Sequence, residues 1–266
     1  MRVYAGIIFV VCLLWIAISR AEDISVPVEY HGRQIQLEGQ FQKPAGPGPF
    51  PVVIALHTCA GYYASPIGPW LELLWQQGYA TLRLDSFTAR GANSVCADTK
   101  SVSVAERGLD ALSAAYVLAG RPDVRRDRIA VIGQSHGAGA AIYVASDHEE
   151  LRPMREKLAK RGGKLVASVA LYGGCGVTAD HSVVVPLLVL VGAKDDWVAG
   201  GATSCVALAN AQSNPIMTVQ VYPNAYHSFD VEAAPHYYLG HRLGYDAEAT
   251  ADARSRVVEF LGRVLR

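Results

Sequence analysis

The sequence predicts an α/β fold, with a mainly parallel central sheet of about eight strands and helices on both of its faces. Three observations predict it. "FPVVIALH" at 50–57 is a continuous apolar run, as expected of a strand covered on both faces. "GYATLRLD" (78–85), "RIAVIG" (128–133), "KLVASVALYGG" (164–174), "VPLLVLVG" (185–192) and "MTVQVYPN" (217–224) read the same way. Between these runs lie helix candidates at 69–76, 102–119, 137–145, 201–211 and 247–264. Strand alternating with helix is the signature of parallel crossover units. Ahead of them, 24–30 and 33–41 read as an antiparallel hairpin turning at His31-Gly32. The charged stretch at 149–163 reads as a solvated helix rather than part of a cap.

The chain has 266 residues, 51% of them hydrophobic, and its 24 basic residues balance 24 acidic ones. That length suits one α/β domain over 22–266. A formal charge of zero argues against electrostatic capture of nucleic acid. There is no repeat and no run of like charges.

Residues 1–21 read as a cleavable signal peptide. Arg2 provides a positive start, an apolar stretch follows, and Ser19-Arg20-Ala21 offers small residues before the cut. The other reading is a retained anchor, although the apolar run falls short of spanning length. After cleavage the expected location is secreted or periplasmic, with no membrane contact. Cys12 leaves with the leader, so Cys59, Cys96, Cys175 and Cys205 remain. Four cysteines in an oxidising compartment suggest two disulfides, with three connectivities open.

In a sheet of this kind functional groups gather just beyond the C-terminal strand ends. After the strand at 128–132 stands Gly133-Gln134-Ser135-His136-Gly137, a G-x-S-x-G pattern. A strand-to-helix turn tight enough to expose the serine oxygen forces the serine into a costly backbone conformation and crowds the positions two before and two after. A serine hydroxyl is a poor nucleophile at neutral pH, so it needs a base and a group that orients the base. In this architecture the order is serine, acid, histidine. "GAKDDWV" places Asp195 and Asp196 after the strand at 185–191, and "PNAYHSFD" places His227 after the next strand. The spacing Gly192, Asp195, Val198 selects Asp195 as the acid, with Asp196 assigned to capping or backbone amides. His236 and His241 are the rivals of His227. Donors for an oxyanion are expected from the His136 backbone N–H and, in "HTCAGYY", from the N–H of Thr58 or Cys59. Tyr62 and Trp197 are expected to line the substrate pocket. No histidine pair has convincing metal-ligand spacing, so no metal is expected.

The pieces "ALHTCAG", "LDSFTARG", "GQSHGAG", "LVGAKDDW" and "YPNAYHSFD" together resemble the dienelactone hydrolase family of α/β-hydrolases, across 55–230. The resemblance implies an α/β-hydrolase fold and a hydrolase of carboxylic esters or lactones, a small-molecule substrate, and neither metal nor organic cofactor. Founding members of that family carry a cysteine nucleophile; the matching position here is Ser135, which favours a serine esterase. By resemblance, Arg90 would hold a substrate carboxylate. The strand order of such a fold implies the pairings Cys59–Cys96 and Cys175–Cys205. Competing readings are a peptidase or amidase on the same fold and a catalytically silent binding protein. The sequence leaves the substrate and the oligomeric state open.

Overall fold

The computed structural model describes residues 21–178, 180–198, 200–212 and 216–266. The expected leader therefore lies, except for Ala21, outside the described residues. The chain opens with the hairpin β1 (Glu22–Tyr30) and β2 (Arg33–Gln42), paired antiparallel. His31 and Gly32 turn it with φ of 48° and 72°, the double positive φ of a tight hairpin turn. The strands β3 (Phe50–Leu56), β4 (Ala80–Leu84), β5 (Val124–Gln134), β6 (Leu165–Leu171), β7 (Leu187–Gly192) and β8 (Met217–Tyr222) complete the sheet. Its order is β1-β2-β4-β3-β5-β6-β7-β8. From β4 to β8 every neighbouring pair is parallel, and only the β1-β2-β4 edge runs antiparallel.

Among the described residues six α-helices flank the sheet: α1 (Gly68–Gln76), α2 (Val104–Leu118), α3 (His136–Ala145), α4 (Arg152–Lys160), α5 (Gly201–Ala211) and α6 (Ala247–Leu265). Because the central strands are buried on both faces, their side chains feed two cores. Val52, Ile54, Leu56, Val131 and Val189 belong to the core beneath α2 and α3. Val53, Ala55, Ile132 and Leu190 belong to the core beneath α1 and α6. This explains the unbroken apolar runs in the sequence, where a half-exposed strand would alternate. α2 starts at Ser103, whose hydroxyl accepts from the Glu106 N–H while the Glu106 carboxylate accepts from the Ser103 N–H. That reciprocal cap satisfies two donors that the first helical turn leaves unpaired. α4 follows a short 3-10 turn at Glu149–Leu151 and buries only Leu158, as a solvated helix does.

One feature was not foreseen. A small second hairpin, β9 (His236–Tyr238) with β10 (His241–Leu243), stands apart from the main sheet. Three residues of mixed polarity per strand are too few to show a periodicity. Among the described residues two disulfides are present, Cys59–Cys96 and Cys175–Cys205, the pairings implied by the resemblance, with Cα atoms 4.8 Å apart in each. The first joins the loops after the adjacent strands β3 and β4; the second joins the segment after β6 to α5. Each closes a loop of thirty or more residues, worth about 2–4 kcal/mol relative to the reduced chain. No helix among the described residues is long and apolar enough to cross a membrane.

Candidate active site

The loops at the C-terminal ends of β3, β5, β7 and β8 converge on one cleft. β5 ends at Gln134, α3 begins at His136, and Ser135 between them has φ 53° and ψ −116°. Such a backbone costs about 1–3 kcal/mol and persists only where its surroundings hold it. Here the Ser135 N–H donates to the Leu171 carbonyl at 2.9 Å, and the Ser135 carbonyl accepts from the Gly139 N–H at 3.0 Å. A Cβ on Gly133 would stand 2.8 Å from Ala138 N, and one on Gly137 would stand 2.6 Å from the His57 carbonyl oxygen. The two glycines flanking the serine are thus required by close backbone approach.

His227 Nε2 lies 2.9 Å from Ser135 Oγ, and its Nδ1 lies 2.8 Å from Asp195 Oδ2. A carboxylate only accepts, so Nδ1 carries the proton and Nε2 is left to accept from the serine hydroxyl. All three side chains are buried. Asp195 is further held by its Oδ1, which accepts from the Trp197 N–H at 3.0 Å. Tyr172 meets the His227 ring edge-on at 4.9 Å, and Trp197 stacks on it at 5.1 Å. Among the described residues the Asp196 carboxylate pairs with His241 Nδ1 at 3.5 Å, while the Trp197 N–H goes to Asp195. His236 lines the cleft and bonds the Ala234 carbonyl, so neither rival histidine reaches Ser135.

Of the expected oxyanion donors, the His136 N–H is at the first position of α3, where no carbonyl of its own helix is available. The Thr58 N–H donates to Ser65 Oγ at 3.3 Å. Cys59 lines the cleft together with Ser135. Thr58 is therefore the weaker of the two candidates, because its amide is already satisfied.

Two residues expected to contact substrate lie away from the cleft. Arg90 makes a two-pronged ion pair with Asp110, 2.8 Å to each oxygen, and donates to the Ser86 carbonyl at 2.6 Å. Its side chain is only 2% exposed. Asp110 is buried on α2 and needs a counter-charge, which draws the guanidinium inward. Tyr62 lies outside the cleft, in a shallow depression with Asp23, Glu38 and Asp85. Arg83 holds it there, donating to the Tyr62 carbonyl and covering its ring at 4.2 Å. Trp197, by contrast, lines the cleft.

The sequence reading missed Arg107, a fully buried residue of α2. Its guanidinium donates to the His57 carbonyl at 2.7 Å and to His136 Nδ1 at 2.8 Å. It thereby ties the β3 loop to the start of α3, the two segments expected to supply oxyanion donors. The available signal was a cation on the face of α2 shared by Val104, Ala111 and Ala115, which packs into the core. Since Arg107 donates to Nδ1, the His136 proton sits on Nε2 and donates to the Thr99 carbonyl at 3.2 Å. Burial first, and then the Arg107 charge, depress the His136 pKa to about 3. The same two causes hold His57 well below its ordinary value.

These depressions bear on stability. Between about pH 6.5 and pH 3 the unfolded chain binds protons that folded His136 refuses, so this contribution is complete above pH 6.5 and is lost on acidification. The urea midpoint is expected to fall from pH 7.5 to pH 4.5, and to fall less in His136→Asn. An equal fall in the two proteins would show that His136 does not contribute.

The dienelactone hydrolase family model matches residues 37–265. The chain belongs to the dienelactone hydrolase family. It is a hydrolase with the α/β-hydrolase fold, and solved structures agree in architecture. A dienelactone hydrolase from Anabaena variabilis superposes with a TM-score of 0.62 at 19% identity, over 92% of this chain and 99% of its own. A dienelactone hydrolase-like promiscuous phosphotriesterase from metagenomic libraries gives 0.62 at 22% identity, with the same coverage. An esterase from Pyrococcus furiosus gives 0.59 at 18%, covering 93% of this chain and 94% of its own. No curated protein matches the chain. Among the described residues of this dienelactone hydrolase family member, no group of three or more His, Cys, Asp or Glu side chains is placed to hold a metal.

Proposed function

We propose that this member of the family is an exported serine esterase that hydrolyses small carboxylic esters or lactones through an acyl-serine intermediate. The observation that carries the reading is the hydrogen-bonded chain Ser135 Oγ, His227 Nε2, His227 Nδ1, Asp195 Oδ2, standing at the floor of an apolar cleft. In the first step Ser135 Oγ attacks the ester carbonyl carbon while its proton passes to His227 Nε2. The carbonyl π pair moves onto oxygen, and the His136 and Cys59 N–H groups stabilise that charge. Asp195 stabilises the imidazolium. When the pair returns, the C–O bond to the alcohol breaks and His227 Nε2 protonates the leaving oxygen. Water, deprotonated by His227, then attacks the acyl-serine; the C–Oγ bond breaks and Ser135 recovers its proton. No step needs a metal or an organic cofactor.

Export rests on the leader-like residues 1–21 and on the two disulfides, which persist in oxidising compartments. The mature chain would then be residues 22–266, a single domain.

The test is intact mass after treatment with a fluorophosphonate. One adduct on the wild-type protein, located at Ser135, is the expected result; a folded protein that takes up none would overturn the reading. The acid is tested separately. Asp195→Asn removes the acceptor that fixes the His227 tautomer, and kcat should fall by about 10⁴-fold. Asp196→Asn removes a half-exposed pair with His241 and should change kcat by less than about three-fold. Similar losses in the two variants would reject Asp195 as the orienting acid.

A further inference from the structure

The cleft has two lobes that meet at Ser135. One has a volume of about 190 Å³ and runs between the β3 loop and the β9–β10 hairpin; the other is about 450 Å³ and runs between the start of α3 and residues 174–177. Ser135, Cys59 and Trp197 border both, and the Trp197 ring, stacked on His227, stands between them. His227 borders only the smaller lobe, and His136 borders only the larger.

That division assigns the two halves of an ester. This step rests on the serine-esterase reading. Around the tetrahedral carbon stand Ser135 Oγ, the oxyanion, the acyl chain and the leaving oxygen. The leaving oxygen must lie within hydrogen-bond reach of His227 Nε2, its proton donor, so the alcohol half extends into the lobe that His227 borders. The acyl chain takes the opposite direction, past the start of α3. We infer that this enzyme selects esters with a compact, uncharged alcohol half, seated in the 190 Å³ lobe, and a longer acyl half, seated in the 450 Å³ lobe.

Size and chemistry both support the assignment. An apolar cavity of about 150 Å³ accepts benzene, so the smaller lobe suits a ring or a short alkyl group. Its walls include Val231, Ala234, Tyr238, Leu243 and Tyr245, and no lining residue carries a permanent charge. A charged alcohol would lose its hydration there without a partner. The larger lobe includes Val177 and Val198 and three glycines, with Lys100 among its lining residues, so a longer acyl chain fits.

The isomeric esters ethyl octanoate and octyl acetate test the assignment, since their leaving alcohols are similar in acidity and only the position of the long chain differs. Wild-type kcat/KM is expected to favour ethyl octanoate by about ten-fold or more. Two leucine variants then narrow one lobe each. A Cβ on Gly176 meets nothing within 4 Å, and one on Gly244 makes only ordinary contacts at 3.7 Å, so both positions have room for a side chain. Gly176→Leu, in the larger lobe, should erode the preference for ethyl octanoate; Gly244→Leu should leave it or increase it. Fluorophosphonate labelling of Ser135 accompanies each assay. A labelled enzyme that prefers octyl acetate, or that loses its preference in Gly244→Leu but not in Gly176→Leu, overturns the lobe assignment and leaves the esterase reading standing. Neither label nor turnover overturns both.

Discussion

Ser135→Ala is expected to lower kcat for a simple ester by on the order of 10⁴-fold or more, with little change in the thermal midpoint. The side chain has one described hydrogen-bond partner, His227 Nε2, and alanine fits where serine does. The Ser135 backbone keeps its strained φ of 53° in either case, so losing the hydroxyl relieves no strain. What disappears is the covalent route, because no other hydroxyl is described within hydrogen-bond reach of His227. Residues acting as a unit lose their effect together: His227→Ala added to Ser135→Ala should cost little more than either alone. The residual rate over water measures what the oxyanion donors and binding supply without the nucleophile. If Ser135→Ala retained more than a tenth of the wild-type rate, the acyl-serine mechanism would be wrong. Stopped assays on the purified variant, with labelling at Ser135 as the control for contaminating wild type, make the measurement.

The largest effect on stability is expected from Gly137→Ala. The added Cβ would stand 2.6 Å from the His57 carbonyl oxygen and closer still to that of Leu56. Neither carbonyl belongs to a flexible side chain. Leu56 ends β3 in the middle of the sheet, and the His57 carbonyl is also held by Arg107. α3 would have to move off the sheet, opening contacts of Ala138, Ala140 and Ala141, which are all fully buried. Overpacking of this kind costs about 1–3 kcal/mol and occasionally more, and the rigid backbone on both sides places this site at the upper end. For a chain of this size about 3 kcal/mol corresponds to a fall of roughly 6–12 °C in the midpoint. The control is Gly262→Ala in α6, where a Cβ meets nothing within 4 Å; there the higher helix propensity of alanine should stabilise by up to about 1 kcal/mol. Similar midpoints for the two variants would show that the close approach at Gly137 does not govern the fold.

Much of this architecture was legible because its signals are local. Apolar runs bounded by turn residues identify β3 through β8, since a strand buried on both faces needs no partner to declare itself. The hairpin at 22–42 was visible through His31-Gly32, where a positive φ is needed at both positions. The elbow at Ser135 was visible because its geometry constrains the neighbouring residues of the same chain. The β9–β10 hairpin left no comparable trace, although Tyr238 and Leu243 help to form the smaller lobe. Arg107 was overlooked because a lone arginine in a helix is ordinarily solvated. Its burial depends on the His57 carbonyl and the His136 ring, 50 and 29 residues away.

What the sequence by itself determined is the order of strands and helices and the succession of serine, acid and histidine at the ends of β5, β7 and β8. Each of these follows from residues within a few positions of one another. Tertiary structure decided where the polar side chains turn. Asp195 rather than Asp196 faces His227, Arg90 pairs inward with Asp110 while Arg107 bridges the two loops, and Tyr62 leaves the cleft that Trp197 divides. The physical reason is that a charged or aromatic side chain settles on the partner that best repairs its desolvation. Ser135 and His227, 92 residues apart in the chain and 2.9 Å apart in space, meet only when the sheet between them has formed.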